Sequence, residues 1–272
     1  MYYPVQPYHL VTSSPWPIYV SFDLLILAIN TVYYMQNTSI IVGSNTIVFL
    51  VSLLNLVFGV ILWLRDVITE SSYIGDHTSY IQNGLILGFY LFIVTEVFFF
   101  IGAFWSYFHS ALVPTIQIGN TWPPIGITGI DPFALPLVNT ILLLCSGVSI
   151  TYAHHYIIGR VRSYSIIGFV ITVLFSVIFL FCQYIEYSNS VFTINDSVFG
   201  TVFFFITGLH GFHVIVGTLM LSTSLYRIYS YQITNTVHVG VESAIVYWHF
   251  VDVVWILVYI FVYWWAWLLY YI

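Results

Sequence analysis

Glu96 has the clearest chemical consequence of any residue in the chain. It stands in LFIVTEVFFFIGAFW, a run that is otherwise apolar. It falls about 13 residues into its span, or roughly 20 Å into a hydrocarbon core about 30 Å thick. A charge at that depth costs at least about 3 kcal/mol on insertion scales. The carboxyl is therefore expected to be neutral, or to be hydrogen-bonded. Two readings stand side by side: a proton-linked or subunit-contacting group, and a protonated side chain bonded to a neighbouring helix.

Other polar residues recur at helical spacing inside apolar runs. His210 and His213 are three apart, as are His249 and Asp252. Two facing histidines with a carboxylate behind them have the ingredients of a haem or metal site. The ligand sets are incomplete, so interhelical hydrogen bonding is the preferred reading, and no metal is expected in this chain. Arg65 and His77 flank one apolar span. His238 and Glu242, four apart, open another near Arg227. Cationic groups at a headgroup plane suit anionic lipid. Gly84 and Gly88 form a GxxxG pattern that permits close helix contact. Asp23, inside the first span, is expected to face protein or to snorkel. The residues show no nucleophile–base pair, glycine-rich phosphate loop or cysteine cluster. Cys145 and Cys182 lie apart, each in an apolar run, and read as packing thiols.

These residues sit on elements that the composition dictates. Of 272 residues, 60% are hydrophobic and 5% charged, with four Arg, no Lys and a net charge of −6. Soluble domains carry roughly 25% charge, so a water-soluble fold is excluded. The absence of a basic patch argues against nucleic acid. Hydropathy predicts seven spans, over 16–35, 41–64, 83–108, 135–158, 165–185, 198–226 and 241–267. They form one polytopic all-α domain. Arg65, Arg160, Arg162 and Arg227 then fall on one side with the N-terminus, which the positive-inside rule makes the side of synthesis. Trp16 marks one interface, and Tyr263, Trp264, Trp265 and Trp267 mark the other. The loop over 109–136, with Trp122-Pro123-Pro124 and several glycines, is expected to fold over part of the bundle. The N-terminal stretch has neither the basic n-region of a signal peptide nor the Arg of a transit peptide. The protein is expected to insert through its own helices where it is made. Its bias toward Phe, Tyr and Ile hints at an AT-rich organellar genome.

Several ordered stretches carry a family resemblance: PYHLVTSSPWP, WLRDVITESSYIGDHT, LFIVTEVFFFIGAFWSYFHSALVP, WPPIGI, LPLVNTILLLCSG, QYIEY, TGLHGFHVIVGT and YWHFVDVVWILVYIFVYWW. From about Pro7 to Trp265 the chain resembles cytochrome c oxidase subunit III, and fungal mitochondrial members most. The resemblance implies seven transmembrane helices split two plus five by a lipid-filled cleft. It also implies a core, non-redox subunit of complex IV, a proton-pumping translocase that ends the respiratory chain by reducing oxygen with electrons from cytochrome c. Haem and copper would lie in partner subunits. The implied partners are subunit I, subunit II, small accessory subunits and phospholipids including cardiolipin. A supercomplex with the cytochrome bc1 complex is a further implication. The implied location is the mitochondrial inner membrane, with the N-terminus in the matrix and the C-terminus in the intermembrane space.

By the same resemblance Glu96 is the family's buried carboxyl, here in TEV. The headgroup ligands would be Arg65, His77 and Arg227, with Trp63, Glu70 and His238 nearby. Thr69 stands where some members have an Arg, and Asp23 where an apolar residue is usual. The alternatives are subunit III of a quinol oxidase, a proton-coupled transporter using Glu96, and a membrane cytochrome using His213 and His249. A transporter would call for inverted repeats, which the sequence lacks.

Overall fold

A computed structural model describes residues 8–36, 44–234 and 238–271. Pro7 of the N-terminal motif, and residues 41–43 at the start of the predicted second span, lie outside these. In lipid, each backbone N–H and C=O must be paired within the protein, and a helix does this inside one segment. The apolar runs accordingly form α1 (Trp16–Gln36), α2 (Ser44–Thr69), α3 (Ser79–Leu112), α4 (Leu135–Ile158), α5 (Arg162–Asn189), α6 (Val198–Tyr229), α7 (Val239–Val258) and the short α8 (Ala266–Tyr271). Seven helical segments are long and apolar enough to cross a membrane, the last running through α7 to α8. The described residues contain no strand.

Two spans contain π segments that the hydropathy reading does not give. The second continues past Leu64 through Thr69 and a π turn, Glu70–Ile74, closed by Gly75 at φ 79°. Arg65 is thus inside the helix rather than after it. The last span widens into a π segment, Tyr259–Trp265, between α7 and α8. There Tyr107 donates to the Phe261 carbonyl at 3.0 Å. The helix α3 has 34 residues, so at 1.5 Å each it is about 51 Å long, more than the core thickness.

The chain divides into two compact units, residues 1–84 and 85–272. In the first, α1 packs on α2 at Gly59, where an added Cβ would come within 2.8 Å of the Tyr19 ring. Asp23 faces this contact. It is 4% exposed, accepts from Asn55 Nδ2 at 2.7 Å, and Asn55 Oδ1 in turn accepts from Tyr19 at 2.8 Å. An ionisable group inside a membrane span is thereby placed against protein, as its cost requires.

In the second unit, half of the apolar window of α7 is buried. It is the central helix, with Trp248 and Trp255 fully buried. Both indoles donate to hydroxyls on α4, Trp248 to Ser146 at 2.9 Å and Trp255 to Thr140 at 3.0 Å. The α4–α5 contact depends on Gly168, where a Cβ would meet Ala153 Cβ at 2.7 Å and the Ser149 carbonyl at 2.9 Å. Small residues and interhelical hydroxyl bonds are what hold helices together in lipid, where burial of apolar surface gives little drive. The GxxxG pair does not act this way. Among the described residues no atom comes within 4 Å of a Cβ placed on Gly84 or Gly88. The 109–136 loop does pack inward, with Trp122 5% exposed and its indole donating to Tyr107 at 3.3 Å.

Candidate functional site

Glu96 and His213 meet across α3 and α6. Glu96 Oε2 lies 2.8 Å from His213 Nε2, and His213 Nδ1 lies 2.8 Å from the Leu209 carbonyl one turn back. The histidine side chain is 5% exposed and the glutamate 20%. Phe100, Tyr247 and Phe250 ring the imidazole at 5.0–6.2 Å. The polar pair therefore sits in an aromatic sleeve. Sequence spacing could not couple these residues, since 117 positions separate them.

The other membrane histidines go elsewhere. His210 is 1% exposed, and neither ring nitrogen has a hydrogen-bond partner among the described residues. It packs instead on Trp255 at 5.1 Å and edge-on to Phe179 at 5.8 Å. Its expected interhelical hydrogen bond is therefore replaced by ring packing, because the surrounding α5 and α7 side chains are aromatic. His249 lies 3.3 Å from Thr151 Oγ1 on α4 and 3.9 Å from Asp252 Oδ2. Asp252 Oδ2 rests over Gly147, where a Cβ would come within 2.7 Å. These two residues do link α7 to α4. His213 turns to α3 and His249 to α4, so the two do not face each other.

The residues assigned to lipid divide between the units. Trp63, Arg65, Glu70 and His77 are in the first; Arg227 and His238 are in the second. Arg65 donates to Asp66 at 2.8 and 3.0 Å and its side chain is 61% exposed. Asp66 also accepts from the Trp16 indole at 2.5 Å, which ties α1 to α2. Glu70 pairs with His9 at 3.3 Å, and His9 packs edge-on to His77 at 5.6 Å. His9, one of the residues before α1, was not singled out from the sequence. In the second unit the Arg227 guanidinium lies against Gly240 at the start of α7, 2.9 Å from where its Cβ would be. His238 contacts Glu242 at 3.1 Å.

A further buried carboxylate escaped the sequence reading. Glu186, in QYIEY, is 4% exposed. Its Oε1 accepts from Tyr263 at 2.5 Å and from Gln183 at 3.3 Å, and Asn139 donates to Gln183 at 3.4 Å. Its Oε2 is buried without a partner among the described residues. A cavity of about 260 Å³ beside it is lined by Asp131, Leu135, Asn189 and Ser190, among others. Glu186 falls one residue past the predicted fifth span, 165–185, outside the runs in which a polar residue stood out.

The whole ordered set of these residues, from the N-terminal histidine to the last aromatic cluster, lies within one family match. The model of cytochrome c oxidase subunit III covers residues 6–267. The chain belongs to the cytochrome c oxidase subunit III family. It is 50% identical over 266 residues to "Cytochrome c oxidase subunit 3" of Yarrowia lipolytica (strain CLIB 122 / E 150), covering 96% of each chain. To the protein of the same name from Mycosarcoma maydis it is 51% identical over 262 residues, covering 96% of this chain and 95% of the other. The Emericella nidulans protein is 50% identical over 261 residues, with 96% of each chain covered. As a cytochrome c oxidase subunit III, the chain is part of a membrane oxidoreductase complex, complex IV of the respiratory chain.

Proposed function

We propose that this subunit supports oxygen reduction and proton pumping without redox chemistry of its own. In this reading it packs beside subunit I in the mitochondrial inner membrane, with subunit II and small accessory subunits in the same complex. Haem and copper belong to those partners, which take electrons from cytochrome c. The N-terminus and the Arg-bearing loops face the matrix, and the C-terminus faces the intermembrane space. Phospholipid, cardiolipin included, is held at the matrix face by Arg65, His77 and Arg227, with Trp63, Glu70 and His238 nearby. Association with the cytochrome bc1 complex belongs to the same reading.

The single observation that carries the subunit's own role is the Glu96–His213 pair. It places an ionisable group deep in the bundle, yet as a charge-neutral unit bonded to a second helix. Such a unit steadies the helices and resists taking up a net charge. The role is structural and proton-holding rather than an obligatory relay. The test is the proton-to-electron ratio of a Glu96→Gln oxidase in sealed vesicles. Retained pumping with normal subunit content supports the reading. Lost pumping with intact electron transfer makes Glu96 a relay. Subunit mass and the visible spectrum of the purified complex test the assembly itself and separate a cytochrome c oxidase from a quinol oxidase.

A further inference from the structure

The C-terminal turn of α4 and the first turn of α7 bring together three metal-ligating side chains. His154 lies four residues before the end of α4, His238 is the residue preceding α7, and Glu242 stands in the first turn of α7. One ring nitrogen from each histidine and a carboxylate oxygen of Glu242 lie within 4.8 Å of one another. The two imidazoles are 6.0 Å apart, centre to centre and roughly edge-on. We propose that this triad binds a divalent transition-metal ion of the zinc class and pins the end of α4 to the start of α7. This does not depend on the role given to Glu96.

Four observations support a cation rather than the anionic headgroup assigned to His238 above. First, the donor set is two imidazoles and a carboxylate. That is a set zinc takes with one position left for water, whereas magnesium and calcium prefer oxygen donors. Second, His154 Nε2 is buried with no hydrogen-bond partner among the described residues. Buried ring nitrogens nearly always have one. Third, a phosphate beside Glu242 would meet a like charge, while a cation would meet an opposite one. Fourth, access is open from one side, since the Glu242 side chain is 40% exposed although His238 is 9% exposed.

The geometry needs little adjustment. Ligand atoms around a tetrahedral zinc, each about 2.0–2.1 Å from the metal, are roughly 3.3 Å apart. His238 Nε2 and Glu242 Oε1 are already 3.1 Å apart. The third ligand atom lies within 4.8 Å of both, so it has at most about 1.5 Å to close, within the reach of a side-chain rotation. Sequence alone shows only the His238–Glu242 half of this set, at a spacing that also suits an ordinary helix pair.

The test uses the assembled oxidase, cleared of loosely held metal by a chelator and titrated with zinc ion alone. The wild type is expected to hold one more zinc equivalent than the H154Q/H238Q double variant. Glu242→Gln should weaken that equivalent at least about tenfold, as loss of even an outer partner of a metal site does. Equal zinc content in all three overturns the proposal. Should the double variant fail to assemble, the wild-type complex decides. Zinc, but not magnesium, should slow diethyl pyrocarbonate modification of His154 and His238 while leaving the half-exposed His249 unaffected. Unchanged modification of both histidines at saturating zinc overturns the proposal by itself.

Discussion

His213 Nδ1 lies 2.8 Å from the Leu209 carbonyl while its Nε2 lies 2.8 Å from Glu96 Oε2. A carbonyl oxygen only accepts, so Nδ1 carries a hydrogen. Two states then remain for the other bond. The carboxylic acid donates to a bare Nε2, or an imidazolium N–H donates to a carboxylate. Both are neutral overall, and they differ by one proton moving between the two partners. Fixing one ring nitrogen thus makes a single shared proton the link between α3 and α6.

Glu96→Gln is expected to be mild. The amide can donate to Nε2 as the acid does, so the loss should be on the order of 1 kcal/mol. Subunit content of the purified oxidase and its thermal inactivation check this. Glu96→Lys sets an ammonium against the imidazole and should impair assembly. Wild-type levels of the assembled Lys variant would contradict the neutral-pair reading.

Removing the histidine should cost more. His213→Leu leaves a partly buried carboxyl without its partner, a penalty of about 1–3 kcal/mol. The double variant with Glu96→Gln should recover part of it. A coupling of roughly 0.5–3 kcal/mol in the double-mutant cycle marks a direct interaction. Additive losses in thermal inactivation would show that the 2.8 Å contact contributes nothing.

Anionic lipid should depend on Arg65 and Arg227 separately. Each cation near a headgroup plane contributes about 1 kcal/mol. Arg65→Gln and Arg227→Gln should each lower co-purified anionic phospholipid, and the double variant should lower it further. Lipid analysis of the three complexes at equal detergent is the measurement. Unchanged lipid in the double variant would remove both residues from the assignment.

Tyr263→Phe should expose the importance of the Glu186 network. It removes the donor at 2.5 Å and leaves Gln183 as the bonded neighbour of a carboxylate that is 4% exposed. The expected loss is about 1–3 kcal/mol. Pairing it with Glu186→Gln should shrink the effect, because a neutral amide needs the phenol less. Equal losses in both backgrounds would mean that the phenol acts only by packing.

Gly168→Val should be among the most damaging apolar changes. A Cβ already meets Ala153 Cβ at 2.7 Å and the Ser149 carbonyl at 2.9 Å, so α4 and α5 must part. Overpacking of this kind typically costs about 1–3 kcal/mol. The Ser149–Thr172 hydroxyl pair, at 2.7 Å, would be stretched by the same movement. Thermal inactivation of the complex, compared with a Val at an exposed Ile such as Ile167, is the check.

The sequence by itself determined the number and type of elements. A bilayer demands about 20 apolar residues per crossing and forbids unpaired backbone, so run length and the scarcity of charge were enough. The same scarcity singled out Glu96. What the sequence could not show was which face of each helix looks inward. A soluble helix reveals its buried face by contrast with a polar one. Here exposed positions such as Phe98 and Ile101 are as apolar as the buried Phe100 and Phe104 beside them, and the contrast is absent. The tertiary structure alone therefore joined Glu96 to His213, turned His210 into an aromatic packing group, buried Glu186 under Tyr263, and brought His154 to His238 and Glu242. Each of these contacts joins separate helices, and in lipid the packing of side chains across helices, rather than apolar contrast along one helix, decides them.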